Sequence, residues 1–238
     1  MKIRQLVSSF YLFILCIPAV FANTPSLVVF TEVSPPYQYQ AGDQVSGIAT
    51  DRVRNIISHA GLTAEFKIYP WARAMLNVER SSRALIYSIA KTPQRENRFH
   101  WIAPVARFNL SILTLARRDD IQLDNQLDLN GLSAAAQRGD IAESWLVSKG
   151  LAEGRDLLVC ADILCSWQQL KLGTVDIIIE DPNLIESTAE LAGLQAGDIK
   201  VVQPVPALSV VAFLAANGDM EPEIVERLQV AARELGYQ

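Results

Sequence analysis

Short apolar runs, too brief for helices, alternate with helix start and stop signals along almost all of this chain. No other feature narrows the fold as much. The runs at 27–30, 65–69 and 84–88 read as strands, being β-branched-rich or apolar and bounded by turn formers. Between the first two, Thr50 or Asp51 is expected to cap a helix that stops at Gly61. Pro70 then opens a helix reaching about Arg80. This βαβαβ order argues an α/β domain with a largely parallel sheet and helices on its faces. Beyond a longer strand expected over 110–116 the series resumes. Strands are expected at 132–136, 157–159 and 175–180, and helices at 140–149, 162–172 and 182–192, with Gly150, Gly173 and Gly193 as their stops. Strands over 199–202 and 210–216 and a helix over 221–235 close the chain.

Two such series joined by extended segments predict two lobes and a hinge. The expected division is 23–110 with 217–238 for the first lobe and 111–216 for the second, with crossing strands at 110–116 and 210–216. Ligands of sheets like these settle outside the carboxyl ends of the strands. The edges to watch are therefore 88–95 and 180–181.

The first 22 residues are set apart from the fold. Lys2 and Arg4 precede an apolar stretch over 6–20, and Val20-Phe-Ala22 ends in the small residue that signal cleavage favours, so export with a cut after Ala22 is expected. Leu15 before Cys16 is too large for the usual lipoprotein signal, which argues against a lipid anchor. The remaining 216 residues (238 less 22) carry 19 basic side chains (21 less Lys2 and Arg4) against 26 acidic ones, a net charge of −7. An acidic surface disfavours nucleic acid and anionic membranes as partners. No second apolar run reaches spanning length, so a periplasmic, non-embedded protein is expected, and a monomer.

Cys160 and Cys165 survive cleavage. Their spacing suits a disulfide between a strand end and the first turn of a helix in an oxidising compartment, and equally suits two buried thiols. Two thiols in a chain with two histidines make a poor metal site, and no cofactor is expected.

The most informative short stretch is 88–104. A buried strand runs into Thr92-Pro93-Gln94-Arg95, where Thr92 has N-cap chemistry and Pro93 suits the first helical position. A helix N-terminus attracts anions, and the Arg95 fork can grip a carboxylate with two hydrogen bonds. The corner reads as a carboxylate site. Asp181 before Pro182 is both a good N-cap and a candidate ligand contact. Tyr37, in a Pro-rich turn after the first strand, and Trp71, opening the second helix, are candidate walls.

With these residues placed, the chain resembles the extracellular solute-binding proteins of family 3, the type II periplasmic binding proteins that serve polar amino-acid ABC importers. The markers are Pro35-Pro-Tyr37, Gly47-Ile-Ala-Thr-Asp51, Pro70-Trp-Ala-Arg-Ala74, Thr92-Pro-Gln-Arg95 with Phe99 and Pro104, and Gly173-Thr-Val-Asp-Ile-Ile-Ile-Glu-Asp181. The resemblance implies a two-lobed fold, each lobe a mixed sheet flanked by helices, that captures a small polar, amino-acid-like ligand for an ABC permease. It implies that Arg95 grips the ligand carboxylate, helped by Ser88 and Thr92. By the same resemblance Asp181 takes the ammonium, Tyr37 and Trp71 shape the pocket, and the Gly139-Asp140-Ile141 loop approaches the carboxylate. Ala90, Asp140 and Ile141 stand where relatives often carry hydroxyls. A non-enzymatic role is expected. The rivals are a dehydratase or lyase on the same fold, for which Glu180 and Asp140 are the acid candidates, and a sensor that docks on a membrane receptor.

Overall fold

The structure, a computed structural model, describes residues 27–238. The expected signal segment and its cleavage position lie outside them. In chain order the elements are β1 (Leu27–Thr31), β2 (Tyr39–Ala41), β3 (Gln44–Ser46), α1 (Ile48–His59), β4 (Ala64–Ile68), α2 (Trp71–Glu79), β5 (Ala84–Ala90) and β6 (Phe99–Leu115). There follow β7 (Ala134–Gln137), α3 (Ile141–Ser148), β8 (Leu157–Cys160), α4 (Ile163–Leu172), β9 (Ile177–Glu180), α5 (Ile185–Ala189), β10 (Ile199–Asn217) and α6 (Pro222–Glu234).

One mixed sheet runs in the order β4-β1-β5-β10-β6-β9-β7-β8. On one side β1 pairs in parallel with β4 and β5, and β5 pairs antiparallel with the end of β10. On the other, β7 lies parallel to β8 and β9, and β9 pairs antiparallel with the end of β6. The two long strands pair with each other and tie the halves together.

Alternation along the strands gives each half a core on both faces, as a period of two requires. Leu27, Val29, Leu85 and Tyr87 pack with Val53 of α1 and Leu228 of α6, while Phe30, Ile86 and Ile89 pack with Trp71 and Val78 of α2. In the second half Ile112, Ala134, Ala136 and Ile177 face Leu146 of α3. Leu113, Ala135 and Ile178 face Trp167 and Leu170 of α4. Cys160 and Cys165 form a disulfide with a Cα–Cα distance of 5.6 Å, clipping the end of β8 to the first turn of α4.

Several boundaries differ from expectation for physical reasons. The strand expected at 110 begins at Phe99, because a ladder running beside β10 holds polar His100, Arg107 and Asn109 in extended backbone. The two strands expected at 199–202 and 210–216 are one, bent by register shifts around Pro204, which has no N–H to give the ladder. Residues 212–216 pair with β5 of the first half and 111–113 with β9 of the second. We therefore place the passage between halves near 106–110 and 204–211, earlier along both strands than expected. Helix α1 starts at Ile48, so Thr50 is inside it, buried and bonded to the Tyr87 hydroxyl at 2.7 Å rather than capping.

Candidate functional site

Both halves turn the carboxyl ends of their parallel strands toward one space. Glu32 directly follows β1, Ser88 and Ala90 end β5, Gln137 ends β7 and Glu180 ends β9. Helix starts fill the gaps: Trp71 opens α2, Asp140 caps α3 and Ile163 opens α4. Together with Arg95 and Phe108 they enclose a cavity of about 70 Å³.

The charge in this cavity is unbalanced. Glu32, Asp140 and Glu180 face a single guanidinium, Arg95. Burial pushes the Glu180 carboxyl up to about 8, with Asp140 and Asp181 adding to it and the Asp181 N–H opposing it from 2.7 Å. Burial also raises Glu32 well above the usual range, reinforced by Asp140 and Glu180 and opposed by the Gln137 amide and Arg95. Asp140 is raised by burial against the pull of the Ile141 N–H and Arg95. Two buried acceptors, Glu32 Oε2 and Gln137 Oε1, have no hydrogen-bond partner. A group rich in N–H would satisfy both.

Arg95 is buried, at 7% exposure, and makes no ion pair among the described residues. Its Nη1 donates to the Ala90 carbonyl at 3.2 Å and its Nη2 to the Gly139 carbonyl of the opposite half at 2.8 Å. The guanidinium carbon lies 5.3 Å from the Trp71 ring centre, and Trp71 Nε1 donates to the same Gly139 oxygen at 3.1 Å. Two donors of the first half thus meet one carbonyl of the second. A further link runs from the Ser187 hydroxyl to the Pro35 carbonyl at 2.6 Å.

Of the residues singled out in the sequence, Arg95, Ser88, Trp71, Asp140 and Glu180 line the cavity, with Ala90 and Ile141 beside them. Ser88 does so from a bulge: the register with β10 passes from Ile89 to Tyr87, and Ser88 takes φ +61°, a conformation serine seldom adopts. Its hydroxyl donates to Gln38 Oε1 at 2.8 Å. Asp140 also accepts from the Ile141 N–H at 2.6 Å, so one carboxylate both caps α3 and faces the cavity.

Three expectations are corrected. No helix starts at Thr92; residues 91–98 form successive turns, since the chain has only this span before it re-enters the sheet at Phe99. The helix-end attraction for anions is therefore missing, and Thr92 lines an outer groove instead. Asp181, 2% exposed, does not line the cavity: Oδ1 accepts from the Asn183 backbone and side chain, each at 2.9 Å, and Oδ2 from the Asn109 N–H at 2.8 Å. The acid that faces inward is its neighbour Glu180, because successive strand residues point opposite ways. Tyr37 packs edge-on against Phe108, ring centres 5.1 Å apart, behind the cavity wall.

Glu32, Gln137 and Phe108 were not anticipated. The carboxyl-end rule, applied to the first strand and to the strand ending at 137, would have found the first two. Among the described residues no cluster of three or more histidines, cysteines or acids suits a metal ion, and no helix is long and apolar enough to cross a membrane.

The family model for bacterial extracellular solute-binding proteins, family 3, matches residues 27–229. No curated protein sequence matches significantly. Among solved structures, an ancestral arginine-binding protein bound to arginine superposes with a TM-score of 0.75 at 19% identity, covering 89% of this chain and 92% of that one. The arginine-, lysine-, histidine-binding protein ArtJ of Geobacillus stearothermophilus gives 0.72 at 18% identity, covering 90% and 92%. A histidine kinase sensor domain with similarity to periplasmic binding proteins gives 0.71 at 19%, covering 89% and 91%. At these identities the likeness establishes the fold.

Proposed function

The chain belongs to the bacterial extracellular solute-binding proteins, family 3, and from that premise we propose that its cavity captures a small solute carrying a cationic, N–H-rich group. The observation that carries this reading is the set of three carboxyls against one guanidinium around a single enclosed space, with Glu32 Oε2 and Gln137 Oε1 unpartnered. Three ionised acids in such a space repel one another, and that repulsion adds to burial in raising their affinity for protons until a positive group offsets it. An amine, amidine or guanidine does this and supplies the missing donors. Arg95, which has donors left beyond its two carbonyl partners, is the group suited to a ligand carboxylate. An amino acid with a basic side chain combines both features. The ancestral arginine-binding protein and ArtJ, both of similar fold, bind arginine, which supports the same direction.

The solute enters between the halves, and closure brings Gly139 onto Arg95 and Trp71 around it. Such a closed form is what a membrane permease of the ABC class can recognise. The family's extracellular setting agrees with an exported protein that delivers its solute there.

Calorimetry with L-arginine, L-lysine and L-glutamate across pH 5 to 8.5 tests the reading. The basic amino acids bind and the acidic one does not. Affinity for the former strengthens as pH rises toward 8, because Glu180 and its neighbours must release protons to meet a cation, and those protons appear in the buffer. Exclusive binding of L-glutamate, or an affinity for bases that is flat over this range, refutes it.

A further inference from the structure

Beside the cavity lies an outer groove of about 670 Å³, formed by α2, the turns at 91–98, the start of α3 and the bent part of β10. It shares Arg95, Ile141 and Val210 with the cavity, so the two spaces meet along one wall. Their sizes differ in kind. The cavity holds only a small group, whereas the groove falls within the range of sites that take whole organic ligands.

The chemistry of the groove is also distinct. Apart from Arg95, its charged residues pair locally: Arg98 with Glu79, and Lys91 with Glu96 at 3.1 Å. Beside polar Thr92, Gln94 and Ser144 it has an apolar wall, namely Met75 and Leu76 on α2 and Ala207 and Leu208 on β10. Leu76 is 43% exposed, a large apolar side chain left in water on the groove wall. Arg95, buried and in no ion pair among the described residues, stands where the two spaces meet.

We infer that the groove is a second compartment of the same site, and that the solute is elongated: a small cationic end in the cavity, a carboxylate at Arg95, and an apolar extension along Met75, Leu76, Ala207 and Leu208. This rests on the reading of the cavity as a site for cations. It adds that a free basic amino acid leaves the apolar wall uncovered. The groove's occupant is the ligand's own tail because the two spaces adjoin at Arg95, Ile141 and Val210, so a tail that passes between Arg95 and Gly139 as their hydrogen bond opens reaches the groove.

The test compares L-arginine with Nα-benzoyl-L-arginine, which keeps the guanidinium and carboxylate and adds one apolar ring. Both are titrated into the unaltered protein and into Leu76→Asp and Ala207→Asp. These exposed positions accept a charge without disturbing the core, and circular dichroism and thermal melting verify that each variant folds. The benzoylated compound binds the unaltered protein about tenfold more tightly than L-arginine, the gain expected for covering part of a ring with apolar surface. In the variants that ratio falls toward one. Binding of L-arginine with no gain from the benzoyl group, or a ratio that survives both substitutions, overturns the inference and leaves the cavity reading standing. Failure of both compounds to bind removes the cationic reading itself, and this inference with it.

Discussion

Glu180 shows how one residue couples stability to the site. Its carboxyl is pushed up to about 8 by burial, while the same group titrates near 4.5 in an unfolded chain. The folded state therefore holds a proton that the unfolded state has released, and stability falls as pH climbs from 4.5 toward 8. Glu180→Gln keeps an oxygen for the Asp181 N–H and removes this dependence. The variant is expected to exceed the parent by roughly 4 kcal/mol at pH 8, with the difference nearly gone at pH 4.5, as read by urea denaturation at both values. An equal gain at both pH values contradicts the assignment. At this scale the sequence was half legible. Arg95 stood out because a strand ran into a Thr-Pro-x-Arg corner, and it does reach the cavity, though not from a helix end. Asp181 misled because its N-cap pattern was visible and its orientation was not. Whether 180 or 181 faces inward depends on strand register, which local spacing does not reveal.

Among the elements, α3 carries the most function per residue. Asp140 caps it through the Ile141 N–H, and Glu143 reaches back to accept from the Gly139 N–H, so both carboxylates hold the loop that presents the Gly139 carbonyl. The two roles of Asp140 separate by substitution. Asp140→Asn retains a competent cap and loses the charge, so melting changes little while affinity for a basic solute drops about tenfold. Asp140→Ala loses both and costs about 1 kcal/mol of stability in addition. Thermal melting and calorimetry on the pair check this, and equal melting losses in both variants count against it. The helix before Gly173, which takes φ +72° at the end of α4, was well marked in the sequence, whereas the helix expected over 182–192 is α-helical only at Ile185–Ala189, between two tighter 3-10 turns. The long strands were not well marked. Pro104, Pro204 and Pro206 break the apolar pattern, and only pairing across β6 and β10 keeps the backbone extended through them.

At the scale of the whole molecule, the alternating pattern indicated two α/β series, and the family markers placed them in one fold; the position of the passage between halves needed the register. On the capture mechanism proposed above, that passage is the hinge and the contacts at Gly139 oppose opening. Trp71→Phe removes one donor while keeping the aromatic face beneath Arg95. A lost neutral hydrogen bond of about 1 kcal/mol shifts the closed-to-open ratio of the solute-free protein about fivefold toward open. Energy transfer between dyes on α1 and α4 measures this, and an unchanged distribution rules out the contact as a latch. The acceptor in that latch is the peptide oxygen of Gly139, which takes φ +74°, so any side chain at 139 would strain the turn that presents it even though a Cβ there meets nothing within 4 Å. On the proposed reading, Glu32 and Glu180 can therefore be replaced without touching that latch, whereas Asp140 serves both: choice of cargo and mechanics of capture meet at the start of α3.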